Sequence, residues 1–174
     1  MSESHIEPVY TRDEIARRIY DLGERLADEL PPDPLLVSLL GGSVIFLADL
    51  VRAIDRPLRY EFIHVDSSGG GDGVSPLDLH YPIPFSVAGE SVLLLKDVVH
   101  SGVTETYLME QLRDHGAAEV RLAALVDITG ERKTDLDTDY RVFDADRLGK
   151  LVGYGLKHHG RLGNLPYIGY VDGI

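Results

Sequence analysis

Along most of the chain, apolar runs of strand length alternate with segments of helical periodicity. Thr11-Arg12-Asp13-Glu14 has the form of a capping box, in which a threonine side chain and a glutamate three residues on satisfy the first free amides of a helix. Ile15, Ile19, Leu22 and Leu26 follow at spacings of three and four, so they share one face of a helix that Pro31-Pro32-Asp33-Pro34 ends. Leu35 to Leu40 is an apolar run of buried-strand length, and Gly41-Gly42-Ser43 predicts a tight turn into an apolar helix from Val44 to Ile54. Arg59 to Val65, with Tyr60, Phe62 and Ile63, predicts a second strand. The four apolar residues Val92 to Leu95 predict a third. A polar turn through Lys96, Asp97 and His100 then opens a helix from Thr104 to about His115, closed by Gly116. Val120 to Asp127 reads as a further strand and a polar connection follows it. Leu151-Val152-Gly153-Tyr154-Gly155-Leu156 predicts the last core strand.

The periodicity fails between residues 66 and 90. Ser67 to Gly73 is a glycine-rich hinge, and Pro76, Pro82 and Pro84 exclude a regular helix. An irregular segment of this length in a compact domain predicts a mobile lid. Strands alternating with helices predict a single α/β domain over residues 1–174, with a mainly parallel central sheet flanked by helices on both faces. Ligands of such sheets bind beyond the carboxyl ends of the strands, where both glycine turns, at 41–43 and 100–104, would fall.

Composition narrows the class. A chain of 174 residues supports one domain with a full core, and 44% hydrophobic with 26% charged residues is ordinary for a soluble protein. No apolar run approaches the roughly 18–20 residues that span a bilayer, and Met1-Ser2-Glu3-Ser4-His5 lacks the order of a signal peptide, so a cytoplasmic protein is expected. The absence of cysteine excludes disulfides and thiol catalysis. A net charge of −12 argues against nucleic acid and anionic membrane as partners, while leaving room for a local basic pocket that takes a phosphorylated small molecule. Neither a Walker A sequence nor a G-x-G-x-x-G fingerprint occurs.

The chemistry concentrates between Lys96 and Thr104. His100-Ser101-Gly102-Val103-Thr104 would aim backbone N–H groups and a helix N-terminus at one point, which suits a phosphate; the plainer reading is a strand-to-helix connection that uses glycine for geometry. Beside it stand one carboxylate, Asp97, one lysine, Lys96, and one histidine, His100. Asp97 suits a ribose hydroxyl or a helix cap. Lys96 either pairs with Asp97 or sets a cation in the site. His100 is either an acid–base group near neutral pH or a neutral ring bonded to a loop carbonyl. His158 and His159 read as exposed loop residues, since neighbours on a strand face opposite ways. Asp135, Asp137 and Asp139 read as a solvated edge, and Tyr81 reaches the site only if the lid closes.

Read together, these segments resemble the type I phosphoribosyltransferases, and specifically their hypoxanthine–guanine branch, nearly end to end. Leu39 to Ile54 resembles that family's pyrophosphate-binding loop and the helix after it. Val92 to Thr104 is similar to its phosphoribosyl pyrophosphate (PRPP) motif. Leu151 to Leu156, followed by Asn164 to Gly169, is similar to its C-terminal signature. The resemblance implies a small C-terminal hood region beside the sheet, transfer of a phosphoribosyl group from Mg²⁺-bound PRPP to a purine nitrogen, and a homodimer or homotetramer. It further implies a phosphorylated ligand, PRPP or a nucleoside monophosphate, and purine salvage as the setting.

Carried over position by position, the resemblance implies 5′-phosphate binding by His100, Ser101, Gly102, Val103 and Thr104, pyrophosphate binding by Leu40, Gly41 and Gly42, and ribose binding by Lys96 and Asp97. It makes His100 and Asp97 the catalytic candidates, and Ile128, Lys150 and Leu151 the neighbours of the base; a slip in the C-terminal alignment puts Leu151 or Leu148 in the place of Lys150 against the base. Leu40, Lys96, His100, Ile128, Lys150, Lys157, Gly163 and Ser67-Ser68 depart from the residues common in the family. Lys96 and Lys157 stand at acidic positions, and an ammonium there repels Mg²⁺. Two functions fit this pattern: a phosphoribosyltransferase whose base preference has changed, or a non-catalytic relative that binds a phosphorylated metabolite as a sensor or oligomer partner. A DNA-binding regulator on this fold does not fit the charge.

Overall fold

The computed structural model describes residues 6–63, 83–145 and 150–171. The Ser67–Gly73 hinge, Ser67-Ser68, Tyr81 and Leu148 lie outside the described residues. A short strand β1 (Ile6–Tyr10) leads into α1 (Arg12–Glu29). The Thr11 half of the capping box forms, its hydroxyl accepting from the Glu14 amide at 3.2 Å while the Glu14 carboxylate accepts from Arg18 at 3.0 Å, and Ile15, Ile19, Leu22 and Leu26 are all buried. The strand β2 (Leu35–Leu39), the helix α2 (Val44–Ala53) and the strand β3 (Arg59–Ile63) follow as the pattern predicts.

The next strand, β4 (Ser91–Val99), is longer than its apolar run, because its ladder continues through Lys96 paired with Ala124 and Val98 paired with Val126. Lys96 and Asp97 therefore belong to the strand and not to the turn expected there. Then come α3 (Val103–Asp114), β5 (Glu119–Ile128), β6 (Tyr140–Ala145), β7 (Leu151–Val152) and β8 (Ile168–Val171). β6 occupies part of the stretch read as a polar connection; its buried positions alternate with exposed Arg141 and Asp144. Just before it, Asp135, Asp137 and Asp139 are exposed, as expected of a solvated edge.

The central sheet has the order β3-β2-β4-β5-β6 and every pairing in it is parallel. Its central strands β2, β4 and β5 are buried on both faces along most of their length, which is why they read as nearly continuous apolar runs. Leu36, Leu93 and Leu95 face α1 and α2 with Phe46 and Leu50, while Val37, Val92 and Leu94 face α3 with Leu108 and Leu112. Each fully buried leucine of this kind is worth about 2 kcal/mol.

The segment 151–156 is not a core strand. Only Leu151 and Val152 are extended, and they join a separate antiparallel sheet of order β1-β8-β7. Gly153, Tyr154 and Gly155 all take positive φ, at 93°, 51° and 94°, so the chain turns back and Gly153 and Leu156 exchange backbone hydrogen bonds of 3.0 Å. Among the described residues, no helix is long and apolar enough to cross a membrane.

Candidate active site

Three turns meet at the carboxyl edge of the parallel sheet. The first leaves β2 at Leu39. Ser43 closes it, donating to the Leu39 carbonyl at 2.6 Å and lying 2.8 Å from the buried Ser38 hydroxyl. Leu40 is half exposed and its amide donates to the Ile63 carbonyl at 2.8 Å. Gly41 and Gly42 present bare backbone. A Cβ on Gly42 would run into the carboxylate of Asp97, and a Cβ on Gly155 would run into the Gly42 carbonyl, so the glycines let β4, the α2 turn and the C-terminal turn touch.

A cleft of about 470 Å³ opens there, lined by Gly41, Gly42, Asp97, Val98, Lys150, Leu151, Gly155, Leu156, Lys157 and His158. It unites five of the residues singled out from sequence (Gly41, Gly42, Asp97, Lys150 and Leu151) from three separate segments. Asp97 is the carboxylate among the described lining residues, and Lys150 and Lys157 are the lysines. His158 is half buried, with Nε2 shielded and without a hydrogen-bond partner. Its burial, then His159 and Lys150, push its pKa down from the usual imidazole range. Ile128 does not line the cleft: it has no exposed surface and packs in the core with Phe143 and Leu47. A concavity of about 520 Å³ between α1, α2 and Tyr154 is slightly larger. None of the residues of the 41–42 turn or of 97–104 lines it, and the chemistry lies in the smaller cleft.

The second turn follows β4. Gly102 takes a φ of 79° and caps α3, so Val103 and Thr104 form the first helical turn with its unsatisfied amides. A Cβ on Gly102 would meet Thr134 Oγ1 at 2.5 Å and Arg132 Cδ at 3.0 Å. The third turn, after β5, thus buttresses the second. The Lys133 amide donates to the Ser101 carbonyl at 2.8 Å. Arg132 donates to the His100 carbonyl at 3.3 Å and to the fully buried Asp127 carboxylate at 2.5 Å. His100 Nε2 lies 2.7 Å from Glu131. Sequence reasoning missed the Asp127–Arg132 and His100–Glu131 pairs, since nothing in the local pattern joins a strand-end acid to a turn arginine.

Behind the cleft, Lys96 Nζ lies 3.2 Å from Asp97 Oδ1 and 3.8 Å from Glu105 Oε1. Asp97 also accepts from the Val98 amide at 2.9 Å. Glu105, in the first turn of α3, is buried, and that burial raises its pKa above the usual carboxylate range; Lys96 and its own backbone amide partly offset the rise. The arrangement combines a helix N-terminus for a single phosphate with a cleft carrying two lysines, one ion-paired carboxylate and bare backbone for a polyanion and its polar attachments.

A family model described as a phosphoribosyl transferase domain matches residues 11–158. The chain is 34% identical over 172 residues to the hypoxanthine-guanine phosphoribosyltransferase of Bacillus subtilis, covering 97% of this chain and 95% of that protein. A solved structure of a Staphylococcus aureus hypoxanthine phosphoribosyltransferase superposes with a TM-score of 0.86 at 28% identity, covering 95% of this chain and 91% of that one. The Trypanosoma cruzi hypoxanthine phosphoribosyltransferase in complex with the product IMP superposes with a TM-score of 0.85 at 29% identity, covering 99% and 96%.

Proposed function

Since the chain belongs to the phosphoribosyl transferase domain family, we propose that it is a purine phosphoribosyltransferase of the hypoxanthine–guanine type, using PRPP. The observation that carries the reading is the meeting of the Gly41-Gly42 turn with Asp97 at one sheet edge, next to a phosphate-shaped loop headed by a left-handed glycine. In the reaction the bond from ribose C1′ to pyrophosphate breaks and a bond from C1′ to a purine nitrogen forms. Positive charge develops on the sugar, so the protein contributes mainly position and charge.

The amides of Ser101 to Thr104, together with the Thr104 hydroxyl, hold the 5′-phosphate. Asp97 accepts from a ribose hydroxyl and stabilises the developing positive charge. The backbone of Leu40, Gly41 and Gly42, with Lys157, holds the leaving pyrophosphate, while Lys150 and Leu151 flank the base. His100, oriented by Glu131, is the acid–base group beside the loop. We place the protein in the cytoplasm as a homodimer or homotetramer.

The resemblance also implies Mg²⁺, and the residues present do not fit it well. Magnesium is held through one or two carboxylates together with substrate phosphates. The cleft's carboxylate carries a lysine ammonium at 3.2 Å, and among the described residues no group of three potential ligands is placed for a metal. No step above passes through the ion.

The test is pyrophosphate release from PRPP with hypoxanthine, guanine and a panel of other bases, beside thermal stabilisation by IMP. Turnover with a purine is expected, with IMP stabilisation lost in Thr104→Val. IMP binding without turnover on any base would favour a non-catalytic binding protein; neither binding nor turnover would refute the reading.

A further inference from the structure

In a chain of net charge −12, the described residues that line the cleft include two lysines and one carboxylate, and that carboxylate is already paired with a third lysine. Lys96 is held from two sides. Asp97 lies toward Gly42, and Glu105 lies toward α3, so the ammonium bridges the strand that carries the ribose site and the helix that carries the phosphate site. Its side chain retains only a fifth of its exposure, and the carboxylate behind it is buried. A divalent cation drawn to Asp97 would meet this fixed positive charge within contact distance, in a partly desolvated pocket where screening is weak. The same charge distribution favours a diphosphate, whose oxygens accept hydrogen bonds directly from ammonium groups.

From this we infer that Lys96, Lys150 and Lys157 supply the counter-charge for the diphosphate group in this cleft, and that diphosphate binding there does not require a divalent cation. Lys157 contacts the diphosphate, and Lys150, beside the base, adds its charge at longer range. Lys96 is a positioning residue: it neutralises Asp97, keeps the carboxylate against Gly42, and occupies the electrostatic place of a metal. The inference rests on the proposed reading of the cleft, and it deepens that reading by assigning the source of positive charge.

The experiment is calorimetric titration of the full chain with sodium pyrophosphate, first in excess EDTA and then in millimolar magnesium. For the native protein the two dissociation constants are expected to agree within about threefold, less than 1 kcal/mol apart. Lys157→Met, on an exposed side chain that leaves the fold intact, is expected to weaken binding in EDTA by about tenfold, the loss of one charge-assisted contact. Lys96→Gln is expected to make binding depend on magnesium by about tenfold, because Asp97 is then free of its ammonium. Binding to the native protein only in magnesium would overturn the inference while leaving the reading of the cleft in place. No binding in either buffer would overturn both. An unchanged affinity in Lys157→Met would remove the lysines as the counter-charge, whether or not Lys96→Gln folds.

Discussion

Replacing Arg132 by methionine tests whether the third turn supports the turn at 100–104, the proposed phosphate loop. The Arg132 side chain is 13% exposed and donates to Asp127, whose carboxylate is fully buried. Without the guanidinium, Asp127 keeps Arg141 Nη1 at 3.7 Å as its nearest cation. Breaking a buried ion pair costs about 3–5 kcal/mol. The remaining arginine puts the expected loss near the lower end, about 3 kcal/mol. For a chain of this size that lowers the melting temperature by roughly 6–12 °C, at about 2–4 °C per kcal/mol. Urea unfolding followed by circular dichroism, with calorimetry alongside, measures both. The double variant Asp127→Asn/Arg132→Met removes the stranded charge with its partner and is expected to recover at least about 1 kcal/mol relative to the sum of the single changes. The single variant also loses the bond to the His100 carbonyl, so stabilisation by IMP should shrink further than the change in stability alone explains. A single variant within about 1 kcal/mol of the native protein, or strict additivity in the double variant, would refute the reasoning.

Three other changes probe separate parts of the site. Gly42→Ala forces a methyl group into the Asp97 carboxylate, so pyrophosphate affinity measured by calorimetry should fall by about tenfold or more; retained affinity would mean that the close approach is incidental. In the native state, burial raises the pKa of Glu105 above its ordinary value of 4.5, so the folded protein holds this proton more tightly than the unfolded chain. The stability of the native protein minus that of Glu105→Gln should therefore fall as pH climbs from 4.5 through the raised folded value, then level off; urea midpoints across that range that leave the difference flat or rising would sink this. Tyr154 donates to Asp49 and is pushed well above the usual phenol range, first by burial and then by that bond. Tyr154→Phe should lower stability by about 1 kcal/mol, the worth of one hydrogen bond to a carboxylate on a part-exposed helix, and denaturant melts read it directly.

The sequence carries the fold wherever one period dominates. The capping box at Thr11 and the stripe from Ile15 to Leu26 are local signals, and so are the doubly buried strands β2, β4 and β5. It fails where a decision depends on a distant partner. β1 pairs with β8 across the whole chain, with Ile6 opposite Val171, and neither strand has a local mark beyond a few apolar residues. Lys96 and Asp97 look like the start of a turn because charge ends an apolar run. The ladder to β5 nevertheless continues, since a strand end at the sheet edge has a cleft into which both side chains can emerge. The opposite error occurs at Leu151–Leu156, where an apolar sextet reads as a strand although its two glycines and Tyr154 take left-handed backbone that no strand admits.

The site itself is built as much from missing side chains as from those present. Gly42 lets the Asp97 carboxylate lie against the α2 turn, Gly155 lets the C-terminal turn rest on the Gly42 carbonyl, and Gly102 lets Thr134 and Arg132 close over the turn at 100–104. A reader of the sequence sees each glycine as punctuation and correctly infers a bend. What each bend admits is settled by residues tens of positions away, so the pairs Asp97–Gly42 and Arg132–Gly102 stay invisible until the sheet sets the strand ends side by side. This is why the turn at 100–104 and the helix it opens, a local motif, were legible in the sequence. The resemblance already set Lys96, Lys150 and Lys157 at one site, but that Lys150 and Lys157 line a single cleft with Asp97, and that Lys96 reaches both Asp97 and Glu105, is legible only in the fold.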